Sequence, residues 1–237
     1  VALVSKSDSC SFLDRWVSEL SENYPSASLL LNLNSNPGNV ILGPETRSLF
    51  GPSEQPLTVG DCRYHVRLDT FFQSNTLQTE TLFKQVLAAA HLTGTERVAD
   101  LYCGVGAITL QLAAHAKQVV GIESVASSID AAKKNADLNN LTNVTFQCGE
   151  VETLLPSQDP FDVVVMDPPR KGCHPSVLET LSRLSPKKIV YVSCNPETLA
   201  RDCDFLVSSG YSLISLVPID MFPQTSHVEV VVCLIKE

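Results

Sequence analysis

The chain has 237 residues, 44% hydrophobic and 18% charged, enough for one large folded domain with a small appendage. A formal charge of −9 and a pI near 5.0 argue against a general nucleic-acid binder, since phosphate neutralisation shows as a basic excess, although a locally basic cleft stays compatible. No apolar run is long enough to span a bilayer, "VALVSKSDSC" lacks the basic start and long apolar segment of a secretion signal, and an opening Val reads as a fragment.

Residues 1–70 read as a small α+β subdomain. "CSFLDRWVSELSENYP" carries Phe12, Leu13, Trp16, Val17 and Leu20 at helical spacing. "ASLLLNLNS", "NVILGPE" and "CRYHVRLDTFF" read as short strands separated by Gly- and Pro-marked turns. From residue 71 the rhythm becomes alternating strand and helix. "TETLFKQVLAAA" is a helix, "RVADLYC" a strand, "GAITLQLAAHA" a helix, "QVVGIES" a strand and "ASSIDAAKKNADLN" a helix. "NVTFQCG" and "FDVVVMDPP" are strands, "PSVLETLSRL" a helix, "KKIVYVSCN" a strand and "PETLARDCDFLVSSG" a helix. "YSLISLVPID" and "HVEVVVCLIK" close the chain as a hairpin that adds an antiparallel edge strand. Repeated βα units with continuous apolar strands predict an α/β fold, a parallel sheet covered on both faces, with ligands beyond the carboxyl ends of its strands.

Eight cysteines are scattered without CxxC pairs: Cys10, Cys62, Cys103, Cys148, Cys173, Cys194, Cys203 and Cys233. That pattern predicts reduced thiols in a cytoplasmic protein, with no metal site.

"DLYCGVG", Asp100 to Gly106, follows a strand and opens a helix. Glycines such as Gly104 let a ligand approach the backbone, and the helix start favours an anion. Glu123 ends the next strand, where a carboxylate accepts ribose hydroxyls. These two features fit NAD and S-adenosylmethionine equally. "MDPPRKG" separates them: a strand ending in Asp-Pro-Pro has no role in hydride transfer, whereas rigid prolines hold Asp167 toward a planar base.

"FFQSN", "DLYCGVG", "MDPPRKG", "VYVSCNPETLARD" and "DMFPQTSHVE" occur in the order found in the RNA uridine-C5 methyltransferases, which the chain resembles from about residue 36 to its end. The extended forms of the last three resemble most the bacterial rRNA-modifying branch. The resemblance implies a Rossmann-like class I methyltransferase sheet with an antiparallel last strand, over residues 71–237. It implies S-adenosylmethionine as cofactor and RNA as substrate, 23S rRNA before tRNA, with no membrane, metal or iron–sulfur cluster and a monomeric enzyme. Family members carry an N-terminal RNA-binding domain, and some an iron–sulfur cluster; neither is visible here.

Cys194 matches the family nucleophile. A thiolate added to C6 of uracil pushes electron density onto C5, which is otherwise a poor nucleophile. The helix start at "PETLA" is expected to lower the thiol pKa. Glu229 matches the base that removes the C5 proton, with His227 beside it on the same strand. Gln73 and Tyr102 match cofactor contacts, alongside Gly104, Glu123 and Asp167. Glu150 lies where an acid or amide meets adenine. Arg170 and Lys171 face RNA phosphates or solvent, while Cys173 and Cys103 read as structural. The competing readings are a transferase for cytosine-C5 or an exocyclic amine, a non-catalytic cofactor-binding module, and a nicotinamide oxidoreductase.

Overall fold

A computed structural model of the chain describes residues 1–8, 11–38 and 40–237. Cys10, and Asn39 at the start of "NVILGPE", lie outside the described residues. The first elements are strand β1 (Ala2–Ser5), helix α1 (Leu13–Asn23) and strands β2 (Leu29–Leu33), β3 (Glu45–Phe50), β4 (Glu54–Val59) and β5 (Cys62–Arg67). Then follow α2 (Thr76–Ala90), β6 (Arg97–Leu101), α3 (Ala107–Ala113), β7 (Gln118–Glu123), α4 (Ala126–Leu138) and β8 (Val144–Cys148). The rest comprises α5 (Val151–Leu154), β9 (Val163–Met166), α6 (Pro175–Leu184), β10 (Lys188–Ser193), α7 (Pro196–Ser208), β11 (Tyr211–Ile219) and β12 (Glu229–Lys236). Among the described residues no helix is long and apolar enough to cross a membrane.

Two compact units emerge: Val1–Pro56 with His65–Asp69, and Leu57–Tyr64 with Thr70–Glu237. In the first, β2 pairs parallel with β1 and antiparallel with β3. The strand expected at "NVILGPE" does not form: residues 40–42 lie outside any strand, and Val40 and Ile41 are exposed. Side chains anchor this apolar run in place of a ladder. Asn34 Nδ2 donates to the Val40 and Ile41 carbonyls, and Asn32 exchanges hydrogen bonds with both backbone groups of Gly43.

In the second unit seven strands form one sheet in the order β11–β12–β10–β9–β6–β7–β8. Every neighbouring pair is parallel except the two that β12 makes. This is the expected α/β sheet with an antiparallel last strand. One detail of the expectation is corrected: β12 lies inside the sheet, and the edge belongs to β11. Six consecutive residues from Glu229 to Leu234 are buried, so β12 needs cover on both faces, whereas β11 exposes Leu213, Ile214 and Leu216. The central strands are apolar throughout; all four residues of β9 are buried, each contributing about 1.5–3 kcal/mol of hydrophobic stabilisation. Strands β6, β7, β9 and β10 therefore end together at one rim of the sheet. The antiparallel β12 starts there.

Candidate active site

Strand register assembles the site. Ser193 of β10 pairs with Val230 of β12, so the next residues outward, Cys194 and Glu229, lie side by side at the rim. Tyr191 pairs with Met166, which brings Asp167 to the same rim one strand over. The chain turns into α7 immediately after Cys194. Asn195 caps that helix by accepting from the Glu197 N–H, and Pro196 occupies its first position, where no amide hydrogen is needed.

Glu229 is 4% exposed, and its Oε2 is a buried side-chain oxygen without a hydrogen-bond partner among the described residues. Burial pushes its carboxyl up to about 7, and the Arg170 guanidinium partly opposes that rise. Asp167 is pushed up to about 8 by burial and by the Glu229 and Asp100 carboxylates. Cys194 is half-buried, and its thiol is raised above the ordinary value. Burial is the largest cause, followed by Glu229 and Asp167, against which Arg170 acts. The expected lowering by the helix start is thereby corrected: burial at the rim outweighs it, and the acids that add to the rise come from β12 and the end of β9, distant in sequence. Three acidic groups compete for negative charge in one small volume.

The other end of the rim is built by the β6–α3 turn. Tyr102 and Gly104 both have positive φ, 63° and 53°. A Cβ on Gly104 would meet nothing within 4 Å, so open space lies above the turn. Glu123 faces it: Oε2 accepts from the Gly104 N–H at 3.2 Å and Oε1 from the Val125 N–H at 2.9 Å. Such a carboxylate keeps acceptor capacity on Oε2 for a diol. Tyr102 sits in this turn and is half-buried. Its ring packs against the main hydrophobic cluster, and burial followed by Cys173 raises its phenol. Gln73 is buried ahead of α2, whose cap is Asn75; Asn75 also donates to the Met221 carbonyl. Gln73 thus has no capping duty.

The remaining candidates separate cleanly. His227 precedes β12 and is exposed, its ring edge-on to Phe222, so it does not share a strand face with Glu229. Glu150 is exposed at the start of α5. Cys173 is buried with Sγ 3.6 Å from the Met166 sulfur, and Cys103 is buried against Gly121. Both are packing residues. No group of metal-binding side chains occurs among the described residues. Sequence reasoning missed Asp202, a fully buried carboxylate on α7. Its signal was available: with Leu199, Cys203 and Leu206 it lies at helical spacing on the buried face.

Residues 92–214 match the model of a methyltransferase domain. The chain belongs to the methyltransferase domain family. That membership implies S-adenosylmethionine as methyl donor, and the open Gly104 turn with its facing carboxylate fits such a group. This methyltransferase is 44% identical, over 99% of its length and 52% of the relative's, to an uncharacterized RNA methyltransferase of Listeria monocytogenes. It is 42% identical to another from Oceanobacillus iheyensis, over 98% of its length and 51% of that protein. The chain spans about half the length of the curated relatives it matches. Among solved structures, the Pyrococcus abyssi tRNA (uracil-54, C5)-methyltransferase in complex with S-adenosyl-L-homocysteine superposes with a TM-score of 0.84. The two are 32% identical, covering 99% of this chain and 55% of that one.

Proposed function

We propose that the chain carries the catalytic machinery for methylating C5 of a uridine in RNA, with Cys194 as nucleophile and Glu229 as base. The observation that carries this reading is the buried, unpartnered Glu229 Oε2 beside Cys194. Leaving a buried acceptor unsatisfied costs about 1–3 kcal/mol, a cost suited to an atom that meets its partner only when substrate binds. S-adenosylmethionine would be held by the Gly104 turn, Glu123, Gln73 and Asp167; it would supply a sulfonium-activated methyl group and leave as S-adenosylhomocysteine. The Cys194 thiolate bonds to C6 of uracil, and the C5–C6 electron pair shifts onto C5, which becomes the nucleophile. After C5 is methylated, Glu229 takes the C5 proton; the electrons left behind re-form the double bond and expel the sulfur. A carboxyl at about 7 is suited to accepting that proton near neutral pH. Arg170 favours the charged forms of both groups.

The target uridine must leave its stack, which is least costly in a single-stranded loop. The extended "DPPRKG" and "DMFPQTSHVE" forms favour 23S rRNA; likeness to the archaeal tRNA enzyme favours tRNA as the second reading. Mapping 5-methyluridine in both RNAs from cells with and without the protein decides between them.

The mechanism is tested with RNA containing 5-fluorouridine. Fluorine cannot leave as a proton, so a denaturation-resistant adduct is expected on Cys194. Methylation of ordinary RNA with no such adduct would overturn the covalent route. The cofactor assignment has its own test. Glu123→Ala is expected to weaken S-adenosylmethionine binding at least about tenfold in calorimetry, since a charge-assisted contact is lost. An unchanged Kd removes Glu123 from the cofactor site.

A further inference from the structure

The segment after β9, "DPPRKGC", is bonded repeatedly to α7, the helix that follows Cys194, and to its N-cap Asn195. Asn195 Nδ2 donates to the Arg170 carbonyl at 3.0 Å, and Thr198 Oγ1 donates to the same oxygen at 3.2 Å. Arg201 Nη2 donates to the Lys171 carbonyl at 3.1 Å. The Cys173 N–H donates to Asp202 Oδ2 at 2.8 Å, and the same oxygen accepts from the Tyr191 hydroxyl of β10 at 2.7 Å. The other carboxylate oxygen accepts from Arg201 Nε at 2.8 Å, so the buried charge is paired. Gly172 permits this closeness: at φ +76°, a Cβ there would lie 2.5 Å from Arg201 Nη2 and 2.7 Å from Asp202 Oδ2. One buried carboxylate thus joins three pieces of chain: the Arg170 segment, the strand leading to Cys194 and the helix leaving it.

We propose that Asp202 is a positioning residue: through the Cys173 amide and the Tyr191 hydroxyl it locks the Arg170 segment to the β10–α7 turn, holding the Arg170 guanidinium in register with Cys194 and Glu229. This rests on the nucleophile assignment above. The charged and titratable groups acting on Cys194 are Glu229 from β12, Asp167 from the end of β9 and Arg170. Two of the three oppose the thiolate, and Arg170 favours it. An Arg side chain on a surface segment exerts that influence only while its backbone is fixed, because a mobile charge is screened and averaged. The hydrogen bonds that fix it converge on α7.

The test reads the Cys194 thiol in the protein alone, without RNA or cofactor. Iodoacetamide alkylation of Cys194 is followed against pH by peptide mass spectrometry, which separates it from the other cysteines. Arg170→Gln is expected to shift the profile upward and slow alkylation near neutral pH about threefold. Asp202→Asn is expected to do the same, and the double variant to go no further, since both changes remove one interaction. Thr198→Val, which leaves the buried carboxylate in place, gives a smaller shift in the same direction and decides the matter if Asp202→Asn does not fold. The proposal fails if Asp202→Asn, or Thr198→Val in its place, lowers thermal stability yet leaves the alkylation profile on that of the wild type. It fails equally if the Arg170 and Asp202 effects multiply. Loss of the fluorouridine adduct with these profiles intact would strike the nucleophile assignment alone.

Discussion

Cys194→Ala is expected to lower methyl transfer to RNA by at least about 10³-fold while cofactor binding stays within twofold of wild type. In the proposed mechanism the sulfur supplies the electrons that make C5 reactive, and the neighbouring groups do not replace it: Asp167 and Glu229 are poor carbon nucleophiles, and Cys173 is sealed against Met166. Folding tolerates the change. Cys194 is half-buried at a strand end, so truncation to Ala costs at most about 1 kcal/mol. Cys173→Ala is the control with the opposite outcome. It removes a buried sulfur from a packed cluster, costing about 1–2 kcal/mol of stability, and leaves turnover in place. The measurement is tritium transfer from labelled S-adenosylmethionine to unmodified RNA, beside calorimetry for the cofactor. Activity within tenfold of wild type in Cys194→Ala would point to an exocyclic amine as acceptor, because that chemistry needs no thiol.

Much of this site is legible in sequence because each part is local. A strand that ends in Asp-Pro-Pro, another that ends in Ser-Cys-Asn-Pro and a glycine turn after "DLYC" each declare a strand end, and parallel strands put their ends on one rim. What escapes is what depends on residues distant in the chain. The Cys194 thiol rises first because it is half-buried and then because carboxylates arrive from two other strands, neither of which the local helix start can reveal. The placement of β12 has a sequence signal: "EVVVCLIK" carries an unbroken apolar run, as a strand covered on both faces needs, whereas "YSLISLVPI" is interrupted by Ser212, Ser215 and Pro218, residues suited to an edge. "VIL" at 40–42 misleads for the converse reason. Its apolar side chains say strand, while its carbonyls are taken by an asparagine several residues upstream. Asp202 shows how a motif hides structure. Read as part of "LARD" it looks like a surface acid, but a carboxylate at the buried position of an amphipathic helix must have partners, and those partners are the neighbouring motif.

Glu229→Gln separates catalysis from stability in one variant, and pH gives both signs. The folded carboxyl sits at about 7 against an ordinary 4.5, so folding disfavours its ionised form. That penalty is absent below about pH 4.5, grows as pH rises and is complete above about 7, where it is on the order of 3 kcal/mol. Glutamine never ionises. Relative to wild type, the variant is therefore expected to gain stability between pH 5 and pH 8, by several degrees in Tm. Comparing the two pH values cancels any constant cost of burying the amide. Turnover moves the other way. Wild-type activity is expected to climb through pH 7 as Glu229 ionises, and the variant to lose about 10²–10⁴-fold. The step it fails is specific: C6 stays bonded to sulfur because the C5 proton has no acceptor, so ordinary uridine RNA should leave a methylated adduct on denaturing gels. A variant that turns over normally and melts in parallel with wild type at both pH values would mean that the carboxylate neither ionises in the cleft nor meets the base. The unpartnered Oε2 would then be buried without compensation.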